Sequence, residues 1–402
     1  NSYSDLGSLY LKNNQIYEAK KYFLKSLDVN ENLFSSLNNL GLIYKNQREY
    51  KLSIKYFLSA LNVNPKNYLV VYNLAQLFDE IEDYHKAKDF YIKTINLNPS
   101  YGNAIVGFYN LLLKTFEWRI INKLEPKLKK FGVKSYQGGD PLTFLYLEEE
   151  NYTRKLRAIN FFNSTFRRDH EKLKPQNNKK LRIGYVSNNF IFHPVSFLIS
   201  GVIKKHNRKE FEIYGYSINT KKDQITEKIS NNFDVYRDIS LKSDDEAANI
   251  IRSDNLDFII DLMGYSAGSR MGILSQKVAP IQISYLAYPS TTGSNQMDYL
   301  LADKHVIPET EVNNFTEKVI NIPGTFMCFD DTTKISEKVI KNQFYNFKKN
   351  SFIMVAFHRP QKLNLKTVLC WCEILNSIEN SFLWIRKPNP VSYTHLTLPT
   401  SL

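Results

Sequence analysis

Residues 1–100 repeat every 34 positions, and that period decides how the first part of the chain folds. Leu6, Gly7 and Tyr10 return as Leu40, Gly41 and Tyr44, then as Leu74, Ala75 and Phe78. Ile16, Tyr50 and Tyr84 keep step, as do Ala19, Ser53 and Ala87; Phe23, Phe57 and Tyr91; and Ser26, Ala60 and Thr94. The units close at 28–31, 62–65 and 96–99, the last two on a Pro. A unit of this length, with small residues where helices touch, is a helical hairpin. It can bury its apolar face only against its neighbours.

The period, the small residues and the closing Pro together are the tetratricopeptide signature, here in three copies. Because such units need neighbours, the array is expected to extend further N-terminal than residue 1. Two residues before the Gly or Ala of each first helix stand Asp5, Asn39 and Asn73. In such an array this position tends to line the concave groove. A ladder of amides there would hydrogen-bond the backbone of an extended peptide, largely regardless of its sequence. The competing reading is that Asn is simply abundant in this chain.

At 402 residues the chain suits two or three domains. No apolar run reaches membrane-spanning length, so no membrane partner is expected. Three cysteines, Cys328, Cys370 and Cys372, make no disulfide framework and suggest a reducing compartment. A lone Cys-x-Cys is a poor zinc site, and ordinary small core residues are the simpler reading. The net charge of +13 admits a polyanion partner, but no nucleic-acid motif accompanies it, and a Lys- and Asn-rich composition accounts for it. No nucleic-acid partner is expected, and the cytoplasm is the default location.

Past the repeats, 101–178 reads as a less regular helical transition region, with helices expected at 101–116, 116–118, 123–131 and 142–150 and a loop at Gly138–Pro141. The stretch 172–180 is the expected domain boundary. Leu181 to Ser187 is then a β-branched and aromatic run of strand length that breaks into Asn188–Asn189. His193–Pro194 and an apolar segment of helical length follow. Further strands are expected at 211–216, 256–262, 281–286 and 297–303, several ending in polar or glycine-bearing loops. This predicts a buried parallel sheet over 179–331, with its active loops along the carboxyl edge. A basic linker spans 332–350. At 351–390 a strand (352–357), the loop His358–Lys362, a helix (367–378) and a strand (381–385) open a second unit of the same kind. Residues 391–402 do not continue the pattern. They look like translated sequencing-adapter sequence, and the natural gene is expected to run on beyond Pro390.

Several of these stretches, in order, resemble one family: the tetratricopeptide-bearing protein O-GlcNAc transferases and their SPINDLY-like relatives. The matching text is LRIGYVS at 181–187 with His193-Pro194-Val195-Ser196, GYSAGSR at 264–270, APIQ at 279–282, YPSTTG at 288–293, Met297-Asp298-Tyr299 and Phe357 through Lys362. The resemblance covers 1 to about 388. It implies a helical solenoid followed by a GT-B catalytic unit of two Rossmann-like lobes, the first complete and the second only begun. It also implies a UDP-GlcNAc donor, protein Ser and Thr acceptors held along the repeat groove, inversion at the sugar and no metal.

Glycosyl transfer needs positive charge or hydrogen-bond donors for the departing diphosphate, because negative charge builds there in the transition state. Lys362 stands in register with the lysine the family uses on the diphosphate, and Arg359, where some relatives carry Gln, would add a second contact. His193 matches the first His of the family's His-Pro motif and would accept a proton or hold sugar or acceptor. A second His four residues on is replaced by Phe197, and the general base stays open. Asp261 and Ser266 are expected to contact or orient the sugar. Tyr288, Pro289, Thr291, Thr292 and Gly293 form a turn where backbone is expected to approach it closely. Met263 stands where some relatives have Asn. Two other readings stay open: an O-fucosyltransferase of the SPINDLY type using GDP-fucose, and a non-catalytic scaffold that binds proteins in its groove. The 402-residue chain by itself is expected to be inactive.

Overall fold

The computed structural model describes residues 2–13, 15–147, 149–166, 173–174, 177–332, 337 and 351–385. The expected tail at 391–402 lies outside these, as do most of the linker at 332–350 and part of the 172–180 boundary. The chain divides into two compact units, and each is taken by itself.

The first unit begins with the repeats. Helices α1 (Ser2–Lys12) and α2 (Ile16–Val29), α3 (Phe34–Asn46) and α4 (Tyr50–Val63), and α5 (Tyr68–Glu80) and α6 (Tyr84–Leu97) form three pairs. A fourth pair, α7 (Gly102–Lys114) and α8 (Trp118–Leu128), follows. The small residues of the period have a steric reason. A Cβ on Gly7 would stand 2.8 Å from the Phe23 ring, and one on Gly41 2.6 Å from the Phe57 ring. Without it, the ring of the second helix lies against the backbone of the first, and both rings are fully buried. The turn between paired helices repeats too. Arg48, Glu82 and Phe116 adopt left-handed backbone, with φ of 62°, 66° and 58°. The fourth pair therefore keeps the 34-residue geometry after the sequence period has faded.

The second unit contains α9 (Pro141–Phe144), α10 (Asn151–Thr165), β1 (Leu181–Ser187), α11 (Pro194–Lys205), β2 (Phe211–Ser217), α12 (Gln224–Ser230), β3 (Val235–Asp238) and α13 (Asp244–Ser253). It continues with β4 (Phe258–Asp261), α14 (Met271–Leu274), β5 (Ile281–Ser284), β6 (Tyr299–Ala302) and β7 (Lys318–Asn321). The sheet runs β3-β2-β1-β4-β5-β6-β7, and every neighbouring pair is parallel. Successive strand residues point to opposite faces. Ile183, Tyr185, Ile213 and Ile260 pack with Val195, Ile199 and Ile203 of α11 on one side. Val186, Tyr214, Tyr216 and Ile259 pack with Ala247, Ala248 and Ile251 of α13 on the other. Burial on both faces explains the near-continuous apolar runs. The chain leaves β1 toward β2 and β3, then returns to β4 on the other side of β1. That reversal opens a crevice at the carboxyl ends of β1 and β4.

The helix expected at 142–150 is short: α9 ends at Phe144, and Asn151 starts α10. Two strands, β3 and β7, arise where none was expected.

The remaining elements, β8 (Phe352–Ala356), α15 (Leu365–Ser377) and β9 (Ser381–Ile385), belong to the first unit. The two strands pair in parallel from Phe352 opposite Ser381 to Ala356 opposite Ile385. Of the three cysteines, Cys370 is exposed and the other two are half-buried, so none is fully enclosed in a core.

Candidate functional site

In the second unit three loops meet at the carboxyl edge of the sheet. The loop after β1 is pinned along its length. The Asn189 N–H donates to the Ser187 hydroxyl at 2.9 Å, the Asn219 amide to the Asn188 carbonyl at 2.7 Å, and the Phe192 N–H to Asp223 at 2.7 Å. His193 then caps α11, with Pro194 in the first turn. Its Nδ1 accepts the Val195 N–H at 3.3 Å, so Nε2 carries the proton of the neutral ring. His193 is half-buried.

The loop after β4 folds around the Asp261 carboxylate. Its two oxygens accept the N–H groups of Met263 and Gly264 at 2.9 and 2.8 Å. Asp261 is 2% exposed, and this burial pushes its carboxyl up to about 7, against the two bonds that favour the charged form. Gly264 has φ +53°, and a Cβ there would lie 2.3 Å from the Tyr288 side chain. Only glycine lets the β4 and β5 loops close on each other here. Met263, the departure from the resembled family, accepts from the Ser187 hydroxyl at 3.5 Å and the Asn189 amide at 3.3 Å through its sulfur. Across to the third loop, the Tyr265 hydroxyl donates to the Thr292 carbonyl at 2.6 Å and the Ser266 hydroxyl to the Ala287 carbonyl at 3.3 Å.

The loop after β5 is built from the inside. The Thr291 hydroxyl donates to Glu317 at 2.6 Å, and the Thr292 N–H donates to the same carboxylate at 2.8 Å. The Thr292 hydroxyl also donates to it. The Thr316 N–H closes the network on the Thr291 oxygen at 3.1 Å. Gly293, at φ +68°, would carry its Cβ 2.2 Å from the Ala158 backbone, so its close approach is to α10. Tyr288 is buried, and burial drives its hydroxyl far up from its ordinary value.

The residues expected to bind the sugar therefore divide by exposure. Pro289 is exposed, and Ser266 and His193 are half-exposed. Asp261, Tyr288, Thr291, Thr292 and Gly293 are buried; the Asp261 carboxylate holds loop backbone, and Thr291 and Thr292 bond to Glu317. Glu317 was not legible beforehand, since nothing near it in sequence ties it to a turn 25 residues earlier.

In the first unit, Arg359 and Lys362 follow β8 with exposed side chains. Pro360–Lys362 is one 3-10 turn, closed by the Lys362 N–H on the Arg359 carbonyl at 3.0 Å and the Leu363 N–H on the Pro360 carbonyl at 2.9 Å. Asn364 then caps α15 through the Thr367 N–H at 2.8 Å. Asp5, Asn39 and Asn73 lie at equivalent points of α1, α3 and α5, the first exposed and the others half-buried.

A helical repeat array with a parallel α/β domain whose carboxyl-edge loops interlock defines the class. Residues 156–342 match the family described as Glycosyl transferase family 41, and 1–33, 34–67 and 70–101 match the Tetratricopeptide repeat. The chain thus joins a stretch that matches tetratricopeptide repeats to one that matches glycosyl transferase family 41. A probable UDP-N-acetylglucosamine–peptide N-acetylglucosaminyltransferase, SEC of Arabidopsis thaliana, is 33% identical over 215 residues, covering 52% of this chain and 22% of that protein. The UDP-N-acetylglucosamine–peptide N-acetylglucosaminyltransferase of Caenorhabditis elegans is 30% identical over 208 residues, 50% of this chain and 18% of that one. The chain thus spans about a fifth of the length of these relatives. A solved mutant of Thermobaculum terrenum O-GlcNAc transferase has a TM-score of 0.62 at 20% identity, covering 98% of this chain and 70% of that one. At that identity the likeness is one of fold.

Proposed function

We propose that this chain is part of an inverting glycosyltransferase that moves N-acetylglucosamine from UDP-GlcNAc to Ser and Thr hydroxyls of proteins. The observation that carries the reading is the family match over the interlocked β1, β4 and β5 loops. In this reading the β1–β7 sheet is the first lobe of a GT-B enzyme, and β8, α15 and β9 open the second. The sparse cysteines suit the cytoplasm.

The exposed groups face the substrates and the buried ones hold them in place. His193 presents its Nε2–H to the sugar or acceptor, and Ser266 and Pro289 border the donor. Asp261, Tyr288, Thr291, Thr292 and Gly293 keep the loops in shape. Lys362, seconded by Arg359, takes the charge that grows on the departing diphosphate, so that the transfer needs no metal. Acceptor polypeptides lie along Asp5, Asn39 and Asn73.

The test is transfer of labelled GlcNAc from UDP-GlcNAc to polypeptide by the complete protein carrying this stretch. Lys362→Ala is expected to lower turnover by about 10²–10³. No transfer from UDP-GlcNAc by the complete protein overturns the reading, and near-normal turnover by the variant removes Lys362 from its role.

A further inference from the structure

The loop that bears Lys362 is held by the helical array. Trp118 Nε1–H, at the start of α8, donates to the Leu363 carbonyl at 3.2 Å, one residue past Lys362. Around that bond Phe116, Leu363 and Val368 are buried together, with Trp118, Trp371 and Cys372 packed against them. The Phe116 and Trp118 rings lie 5.5 Å apart.

The repeats supply an internal comparison. At the turn position of the second and third pairs stand Arg48 and Glu82, both exposed. Their equivalent in the fourth pair is Phe116, which is 4% exposed. A bulky residue in left-handed backbone persists only where its surroundings hold it there. Two residues on, Tyr50 and Tyr84 become Trp118. The Tyr50 hydroxyl donates to Glu80 within the array, 2.9 Å away. The indole instead donates across 245 residues of sequence. Both departures from the repeat fall where the array meets the Lys362 loop.

We infer that Trp118 is a positioning residue for transfer, fixing the 3-10 turn so that the Lys362 ammonium is preorganised for the leaving diphosphate. This rests on the reading of Lys362 given above. The Leu363 carbonyl carbon is four bonds from the Cα of Lys362, so anchoring it restrains the end of the turn from which the Lys362 side chain leaves. Misplacing a catalytic charge by an ångström is enough to lose much of its effect.

The experiment compares Trp118→Phe, Lys362→Ala and the double variant in the complete protein, reading kcat, KM for UDP-GlcNAc and for acceptor, and hydrogen exchange at 359–364. Trp118→Phe keeps the ring and removes the donor. It is expected to lower kcat roughly tenfold or more, leave the acceptor KM unchanged and speed exchange of the Lys362 and Leu363 amides. The double variant is expected to be no slower than Lys362→Ala alone. Wild-type kcat in Trp118→Phe, with Lys362→Ala crippled, overturns the anchoring role and leaves the Lys362 reading standing. Losses that multiply in the double variant overturn it too, since they mark a general structural defect. Near-normal turnover in Lys362→Ala sinks the underlying reading instead. Should Trp118→Phe not fold, Trp118→Tyr restores the residue of the second and third repeats and is expected to show the same loss.

Discussion

Asp261 shows how a single buried group ties the site to pH. Its carboxyl is pushed up to about 7 from an ordinary value of 3.8, because burial outweighs two backbone N–H bonds. Between those values the native state holds a proton that the unfolded chain has shed. Stability from this group is therefore complete below about pH 4 and falls as pH rises toward 7, by no more than about 1.4 kcal/mol per unit. Urea unfolding of wild type and Asp261→Asn across pH 4–8 isolates it: the difference between the two is expected to slope over that window and to flatten above it. A difference independent of pH would remove Asp261 as the titrating group. Gly293 makes a steric prediction at the same scale. With φ +68° and a Cβ position 2.2 Å from main chain of α10, Gly293→Ala has neither conformation nor room. A lowered thermal midpoint of the second unit is the expected outcome, by more than the roughly 1 kcal/mol of an ordinary Gly-to-Ala mismatch.

Among the elements, the β5 loop depends on one carboxylate. Glu317→Ala leaves two Thr hydroxyls and the Thr292 N–H without their acceptor in a buried place. Its expected loss is at least about 2 kcal/mol, read as a shift in the urea midpoint, and Glu317→Gln, with one acceptor oxygen left, falls between. What was legible beforehand follows from the same physics. The bounds of β1 match their reading at 181–187 because a strand buried over its last five residues places Ile183, Tyr185 and Val186 close together in sequence and then breaks into polar loop. The edge strands β3 (VYRD) and β7 (KVIN) are four residues each and partly or largely exposed, so no apolar run announces them. Helix α10 went unread because its sequence, NYTRKLRAINFFNST, is mostly polar and has only three fully buried residues. The His-Pro and Gly-Tyr-Ser loops advertise themselves by residue type. Glu317 does not, since its role exists only once β6 and β7 have carried it back beside the turn.

At the scale of the whole chain, the 34-residue step is kept in backbone where it is lost in side chains, as the turn at Phe116 shows. If Asn39 and Asn73 hold acceptor backbone, Asn39→Ala with Asn73→Ala is expected to raise the acceptor KM several-fold in the complete protein and leave the UDP-GlcNAc KM alone. An unchanged acceptor KM would move acceptor binding elsewhere. Because each pair is closed internally by a small residue of its first helix, with the Phe23 and Phe57 rings lying on Gly7 and Gly41, and the pairs follow one 34-residue step, the array is modular upstream of its last pair. A spare 34-residue unit spliced between α4 and α5 would lengthen the reach for acceptors and leave the Trp118 contact untouched. The same unit spliced after α7 would separate Trp118, at the start of α8, from α7. Evolution and engineering alike are thus free to vary repeat number on one side of the fourth pair and barred from it on the other.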